Sequence, residues 1–210
     1  LDAYDLSIHK VLVNNRQVDF YLSQFNEEYG SGLSIPLING DSILSIEYTT
    51  GSKAKALQWL SPEQTAGKVK PYLFTQCESI QARSLVPCQD VPAIRITYNA
   101  DVQVPVGMLA LMSAKNPIEK NPNGTYHFEM ELPVPTYLIA LAVGDIEYKA
   151  IDSRSGVYTE PSMLAKAANE LSEIPQMMQA AESICGPYRW GKYDVLVAPP
   201  SFPIGGMENP

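Results

Sequence analysis

The chain has 210 residues, of which 45% are hydrophobic, so it is long enough to form one or two folded domains. Its 15 Lys and Arg residues against 23 Asp and Glu give a net charge of -8. Such a charge works against contact with a phosphate backbone, and we expect no nucleic-acid partner. The longest apolar stretch, residues 137–143, is far shorter than the roughly 20 residues of a membrane-spanning helix. We expect a buried strand there and no membrane partner.

Three cysteines, Cys77, Cys88 and Cys185, occur without C-x-x-C spacing. An odd number in this arrangement predicts reduced, structural thiols rather than a disulfide framework. No targeting signal is visible, which favours a cytoplasmic protein. An exported form stays open, because we expect residues to be missing at both ends of the chain.

Up to about residue 150, the sequence predicts short strands separated by turns, a pattern typical of a sandwich or an open sheet. The triplet Asn14-Asn15-Arg16 predicts a turn after the first strand. The predicted strands are 6–13, 18–22, 33–37, 43–48, 94–104, 109–113, 126–132 and 137–148.

After residue 150 the pattern indicates helices. Thr159 followed by Pro161 predicts a helix start capped by the threonine. The apolar face of this helix would contain Leu164, Ala168 and Leu171. We therefore expect a β-sheet domain over residues 1–148 and the beginning of an α/β domain over residues 149–210.

Pro175 predicts the start of a second helix, which carries Met178, Ala181 and Ile184. Gly186 and Pro187 then follow in the usual order of helix stop signals. Residues 194–198 read as a buried strand after this helix.

The only histidines are His9 and His127, which lie in different predicted strands. No H-E-x-x-H motif occurs, so this stretch by itself is expected to hold no metal. Each histidine is interpreted as a surface or hydrogen-bonded residue.

The segment 199–210 reads Pro-Pro-Ser-Phe-Pro-Ile-Gly-Gly-Met-Glu-Asn-Pro. By itself it is compatible with an ordinary turn. Alternatively, Gly205 and Gly206 let a peptide backbone come close, as in strand addition, and Glu208 receives a ligand's ammonium group. A hydrogen bond to a charged group contributes about 1.5–3 kcal/mol, enough to select a free amino terminus.

This segment resembles the Gly-x-Met-Glu-Asn signature of the zinc aminopeptidases that include aminopeptidase N, aminopeptidase B and leukotriene A4 hydrolase. Its longer form is similar to the branch that contains the last two. Further stretches resemble the same branch in the same order: 56–65, 72–78, 87–92, 137–141 and 186–191.

The resemblance implies a mostly β fold, with a saddle-like β-sheet domain followed by the first α/β part of a thermolysin-like catalytic domain. It also implies one Zn2+, bound by a downstream part through two His and one Glu, with a second Glu as general base. The substrates would be peptides with a free amino terminus, and a monomer is favoured.

The resemblance implies a set of substrate-binding residues: Gln76, Glu78, Ser79, Ile204, Gly205, Gly206, Met207 and Glu208. Glu208 and Glu78 would bind the α-ammonium, and the two glycines would line the peptide with backbone groups. The other side chains would shape the first subsite. Glu78 facing only solvent, and Met207 serving only as core, remain alternatives.

Two positions depart from what the resemblance implies: the leukotriene-hydrolysing member looks to have Gln where this chain has Glu78, and the branch looks to have an aromatic residue where this chain has Ile204. The second difference leaves the shape of the first subsite, and hence the side-chain preference, open. A second carboxylate strengthens ammonium binding and disfavours a fatty-acid carboxylate, so peptide cleavage is favoured over leukotriene-type epoxide hydrolysis. A rival from another class is a non-catalytic peptide-binding module.

Overall fold

The computed structural model describes residues 1–203 and 205–210, which form fifteen strands and two α-helices in the described part. The chain divides into two compact units. The first unit comprises Leu1–Gln58, Thr75–Thr97 and Glu131–Ala140, and the second comprises Trp59–Phe74, Tyr98–Met130 and Leu141–Pro210. The domain boundary expected near residue 148 stays a prediction.

The first unit contains two antiparallel sheets, with strand orders β1-β5-β4 and β3-β2-β6. Asn14 and Asn15 join β2 to β3 with φ angles of 47° and 65°, in the left-handed region that asparagine tolerates well. The predicted turn and the first strand are confirmed. The strand bounds are β1 Asp2–Ala3, β2 Leu6–Val13, β3 Arg16–Gln17, β4 Tyr21–Leu22, β5 Ser31–Ser34 and β6 Leu44–Thr50.

Strands β7 to β12 form a four-stranded sheet, ordered β10-β12-β8-β7, and a pair, β11-β9. Buried and exposed residues alternate along β11, and Tyr126, Phe128 and Met130 point inward. This period of two is the signal that predicted the strand. The bounds are β7 Leu57–Leu60, β8 Tyr72–Thr75, β9 Arg95–Gln103, β10 Leu109–Met112, β11 Thr125–Pro135 and β12 Leu141–Gly144.

A further sheet, which lies wholly in the second unit, is ordered β13-β14-β15, with β13 antiparallel and β15 parallel to β14. The crossover from β14 to β15 contains both helices, and a core cluster joins Val157 of β14 to Ala167 and Ala168 of α1. The bounds are β13 Glu147–Ala150, β14 Ser155–Thr159, α1 Leu164–Glu170, α2 Ile174–Cys185 and β15 Tyr193–Leu196. Neither helix of the described ranges is long and apolar enough to cross a bilayer.

The single strand predicted over residues 137–148 is wrong. Its first part is a 3-10 turn, Thr136–Leu138, and the rest is divided into β12 and β13. Thr136 donates its hydroxyl to the buried carboxylate of Asp90 at 2.7 Å, which stabilises the turn instead of a continued strand. Asp145 separates β12 from β13, where it pairs with Lys70 and Lys120.

The capping role predicted for Thr159 is also wrong, because this residue ends β14 and its hydroxyl donates to the carbonyl of Val197 at 3.0 Å. A 3-10 turn, Pro161–Met163, comes first, and α1 begins at Leu164.

Gly186 ends α2 with a φ of +85°, as predicted. The strand predicted at 194–198 exists as β15, but Tyr193 and Leu196 are exposed because β15 lies at the edge of its sheet.

Two of the predicted strands differ from the observed ones in where they begin or end. The strand predicted at 18–22 is shortened to β4, and the one predicted at 33–37 begins earlier, as β5. Ser23 explains part of the shift, since its hydroxyl accepts the N–H of Gly32 at 2.8 Å and extends the pairing of β4 with β5.

A buried ion pair joins Arg83 to Asp90 in the first unit, with Nε 3.1 Å from the carboxylate. Arg83 also donates from one terminal nitrogen to the carbonyl of Asp90 at 2.9 Å and from the other to that of Tyr29 at 3.0 Å. The N–H of Asp90 donates to the carboxylate of Asp2 at 2.9 Å. The pair therefore ties the segment after β8 to β1 and to the loop that contains Tyr29.

We expect Arg83→Met to lower the free energy of unfolding by about 3–5 kcal/mol, because it leaves the Asp90 carboxylate buried without its cation. Urea denaturation at neutral pH measures the loss. Arg16→Met is the matched control, since Arg16 is exposed on β3. A loss in Arg83→Met no larger than in the control would contradict the assignment.

A second ion pair fastens α2 to the turn before β14. Arg154 donates to both carboxylate oxygens of Glu182 at 2.8 and 3.1 Å, and the N–H of Tyr188 donates to the same carboxylate at 2.9 Å. The hydrogen bond from Arg154 and the one from Tyr188 lower the pKa of Glu182 from 4.5 to about 2.

Because the folded pKa of Glu182 is depressed, its ionised form stabilises the fold above the usual pKa of 4.5, and this contribution is lost as the pH falls toward about 2. We expect Glu182→Gln to unfold at lower urea concentration than the parent at pH 7 and pH 5, with a difference that shrinks at pH 3.5 and below. Glu170→Gln, at the exposed end of α1, is the control. A difference that is constant with pH would refute the pairing.

Candidate functional site

The first group of predicted site residues lies directly after strand β8, in the first unit. Gln76 is half-buried, and its N–H donates to the carbonyl of Ala56 at 2.9 Å. Glu78 and Ser79 are exposed in the turn that follows. The carboxylate of Glu78 is thus presented to solvent from a backbone that is fixed on the preceding side.

Cys77 anchors this turn from inside. Its side chain packs with Ala56 and Ala82 in a buried cluster, and its carbonyl accepts the N–H of Gln81 at 2.8 Å. Burial raises the pKa of the Cys77 thiol to about 12, and that of Cys88 likewise to about 12. Both thiols are therefore neutral at physiological pH, which matches structural cysteines rather than nucleophiles.

Ser84 completes the attachment of the turn. Its hydroxyl accepts the N–H of Ala56 and donates to the carbonyl of Gln81, both at 2.8 Å. The neighbouring Arg83 is the buried partner of Asp90. The residues on the carboxyl side of Glu78 are thus also attached to the first unit by hydrogen bonds.

The second group of predicted residues lies in the second unit. Gly205, Gly206 and Glu208 are exposed, whereas Met207 is half-buried. Ile204, also predicted to line the site, lies outside the described residues. The two groups belong to different units, and each is characterised within its own unit.

Gly205 and Gly206 have a distinctive environment. Neither glycine has a backbone φ in the left-handed region, and a Cβ added to either would meet no described atom within 4 Å. Gly30 and Gly124 differ, since both have positive φ and an added Cβ would lie within 2.4 Å of a backbone oxygen. Within the described chain, neither conformation nor packing requires glycine at 205 and 206.

The segment before these glycines is attached to its own unit by two contacts. The ring of Phe202 packs edge-on against that of Phe74, with centroids 4.8 Å apart and planes at 66°. Ser201 donates its hydroxyl to the carbonyl of Gln64 at 2.7 Å. Ser201 and Phe202 belong to the motif that resembles the aminopeptidases, but the resemblance implies no role for them. The available signal was the length of the motif, which extends several residues before the glycines.

No group of three His, Cys, Asp or Glu side chains that could hold a metal ion occurs within residues 1–203 and 205–210. His9 and His127 are exposed and hydrogen-bonded to Thr49 and Asp101, at 2.6 and 2.7 Å. Their predicted surface positions are confirmed. The described residues thus do not fit a zinc ion, and we derive no catalytic step through one in this chain.

Comparison with known proteins gives consistent matches. Residues 1–138 match the family described as the Peptidase M1 N-terminal domain. Leukotriene A-4 hydrolase of Xenopus laevis is 43% identical over 220 residues, covering 100% of this chain and 36% of that protein. Leucine aminopeptidase 2 of Yarrowia lipolytica is 43% identical over 215 residues, covering 100% of this chain and 33% of that protein.

The fold is similar to a known structure of yeast LTA4 hydrolase in complex with bestatin. The TM-score is 0.92 at 39% identity, covering 100% of this chain and 33% of that one. The family resemblance inferred from the sequence and the mostly β fold class are confirmed. The chain spans about a third of the length of the relatives it matches.

Proposed function

Because the chain belongs to the peptidase M1 family, we propose that it supplies the part of a zinc aminopeptidase that binds the amino terminus of a peptide substrate. The complete protein would remove amino-terminal residues from peptides. This chain would orient the substrate and leave the bond-breaking step to another part of the protein.

The environment of Gly205 and Gly206 is the observation that carries the proposal. Neither backbone conformation nor packing against residues 1–203 and 205–210 requires glycine at these two adjacent positions, which supports the approach of a partner backbone. A Cβ at either position would hold a substrate backbone away. The proposal therefore assigns these two positions to main-chain contact with the peptide.

Glu208 would accept a hydrogen bond from the substrate's α-ammonium, and Glu78 would act as the second carboxylate. Both side chains are exposed, which leaves their oxygens accessible to a ligand. Gln76, Ser79 and Met207 would shape the first subsite together with Ile204. Fixing the ammonium in this way brings the first peptide bond, and no later one, to the reacting centre.

Zinc enters the proposal as an ion bound by a part of the protein beyond this chain, where it would polarise the scissile carbonyl and activate a water molecule. Glu78 and Glu208 are thus positioning groups without a role in proton transfer. The substrates would be peptides with a free amino terminus, which the net charge of -8 attracts weakly. A cytoplasmic location and a monomeric state belong to the same proposal.

We expect Glu208→Gln in the complete enzyme to lower kcat/KM for peptides by about a hundredfold, in line with about 2–3 kcal/mol for a charge-assisted hydrogen bond. Glu78→Gln should give a similar loss with a broader range of accepted ligands. Steady-state kinetics on aminoacyl substrates measures both.

Glu129→Gln, an exposed carboxylate on β11, is the control and should leave kcat/KM unchanged. If Glu208→Gln has the kinetics of the parent, Glu208 does not bind the substrate ammonium. Loss of activity in Glu129→Gln as well would point to general charge rather than to a site.

Two further functions keep specific support. Leukotriene-type epoxide hydrolysis is suggested by the relative named leukotriene A-4 hydrolase. This relative is 43% identical to the chain, which is no higher than the identity of leucine aminopeptidase 2. Glu78, in place of glutamine, favours peptides. A non-catalytic peptide-binding module would suit the described residues, which contain no metal cluster.

Native mass spectrometry of the protein as its source makes it separates the enzyme from the binding module. We expect a chain much heavier than 23.1 kDa with one bound zinc. A chain of 23.1 kDa without zinc would instead establish the binding module and overturn the aminopeptidase.

A further inference from the structure

The turn over residues 61–67 begins inside the stretch 56–65, which resembles the aminopeptidases, yet none of its residues has a role in the proposed site. It is tightly structured. The N–H of Ser61 donates to the side-chain oxygen of Gln64 at 3.0 Å across a 3-10 turn, Pro62–Gln64. Thr65 is buried, and its hydroxyl donates to the carbonyl of Pro62 at 2.8 Å.

Glu160 fixes this turn from the end of β14. Glu160 is 4% exposed, and its carboxylate accepts the N–H groups of Ala66 at 2.7 Å and of Gly67 at 2.9 Å, one on each oxygen. Hydrogen bonds to an ionised acceptor are the stronger kind. The backbone of the turn is therefore fixed to the residue that directly follows β14.

The segment that contains Ser201 and Phe202 contacts this turn and the neighbouring strand β8. The hydroxyl of Ser201 reaches the carbonyl of Gln64, and the Phe202 ring lies on Phe74 of β8, which is buried. The N–H of Phe202 closes a turn to the carbonyl of Pro199 at 2.9 Å. These contacts fix the chain six residues before Glu208.

We propose that the turn 61–67 and Phe74 of β8 form a platform for the segment that contains Ser201, Phe202 and Glu208, and that Ser201 and Phe202 are positioning residues for Glu208. The inference rests on the proposed function, since it assigns the platform to substrate recognition. Gly205 and Gly206 have no packing restraint of their own in the described chain. Ser201 and Phe202 therefore fix the position of the backbone that leads to Glu208.

Such positioning matters because a charge-assisted hydrogen bond depends steeply on geometry, and a shift of about 1 Å is costly to a catalytic complex. If Ser201 and Phe202 had a purely structural role, substituting them would weaken the binding of every ligand equally. A positioning role weakens only those ligands that have an α-ammonium. The difference between two such ligands is thus the informative measurement.

The experiment uses the complete zinc enzyme and two probes, leucine hydroxamate and 4-methylpentanohydroxamate, which differ only in the α-amino group. Amine selectivity is defined as the dissociation constant of 4-methylpentanohydroxamate divided by that of leucine hydroxamate. We expect Phe202→Leu and Ser201→Ala to lower this ratio by about fivefold, the size of one ordinary hydrogen bond, through weaker binding of leucine hydroxamate alone. In a Glu208→Gln background neither change should lower it further.

Ser183→Ala is the matched control, because it also removes a serine hydroxyl that donates to a backbone carbonyl, here that of Ala180 at 2.7 Å on exposed α2. It should leave amine selectivity unchanged. Hydrogen exchange of residues 201–209 gives a second measurement, which should be faster in Phe202→Leu and Ser201→Ala than in the parent.

The outcomes separate the two hypotheses. If Glu208→Gln lowers amine selectivity while Phe202→Leu and Ser201→Ala do not, the platform is overturned and the proposed function stands. Equal weakening of both hydroxamates in Phe202→Leu would also overturn the platform. If Glu208→Gln leaves amine selectivity unchanged, the proposed function fails and the platform fails with it.

Discussion

The ion pair between Arg83 and Asp90 is the interaction on which most of the first unit depends. Both side chains are buried, so each charge must be matched by fixed partners rather than by water. The partners come from parts of the chain that are distant in sequence: Asp2, Tyr29 and Thr136. These contacts hold the segment after β8 against β1, the loop that contains Tyr29 and the 3-10 turn at Thr136. The exposed turn at Glu78 lies within this segment.

Glu160 has the corresponding place in the second unit, with the difference that it is matched by backbone N–H groups instead of a cation. In both units a buried carboxylate fixes a loop that regular strand pairing leaves without partners. Buried charges are expensive unless every oxygen is satisfied, and this requirement gives the loop one geometry. Loops of this kind hold their exposed groups in a defined position without being part of a sheet.

The sequence predicted the elements whose signal is local and missed those defined by distant partners. β2, β9 and β11 show either apolar spacing or alternation, and they were confirmed. β8 was missed because all four of its residues are buried and it has no alternation to detect. Thr159 was misassigned since its hydroxyl binds Val197, a partner 38 residues away. The predicted site residues came from the family resemblance, and the pattern of residues 199–210 alone would have predicted only a turn.

Exposure separates the carboxylates that build the fold from those proposed to bind the ligand. Asp90 and Glu160 are buried and satisfied within the chain, whereas Glu78 and Glu208 are exposed. A hydrated carboxylate loses part of its hydration when an ammonium group arrives, so one such contact gives modest net energy. Recognition of an amino terminus therefore depends on how accurately each carboxylate is held beforehand, because a group that is already in place loses little entropy on binding. For this reason the buried contacts behind the site contribute to its proposed chemistry together with the two exposed side chains.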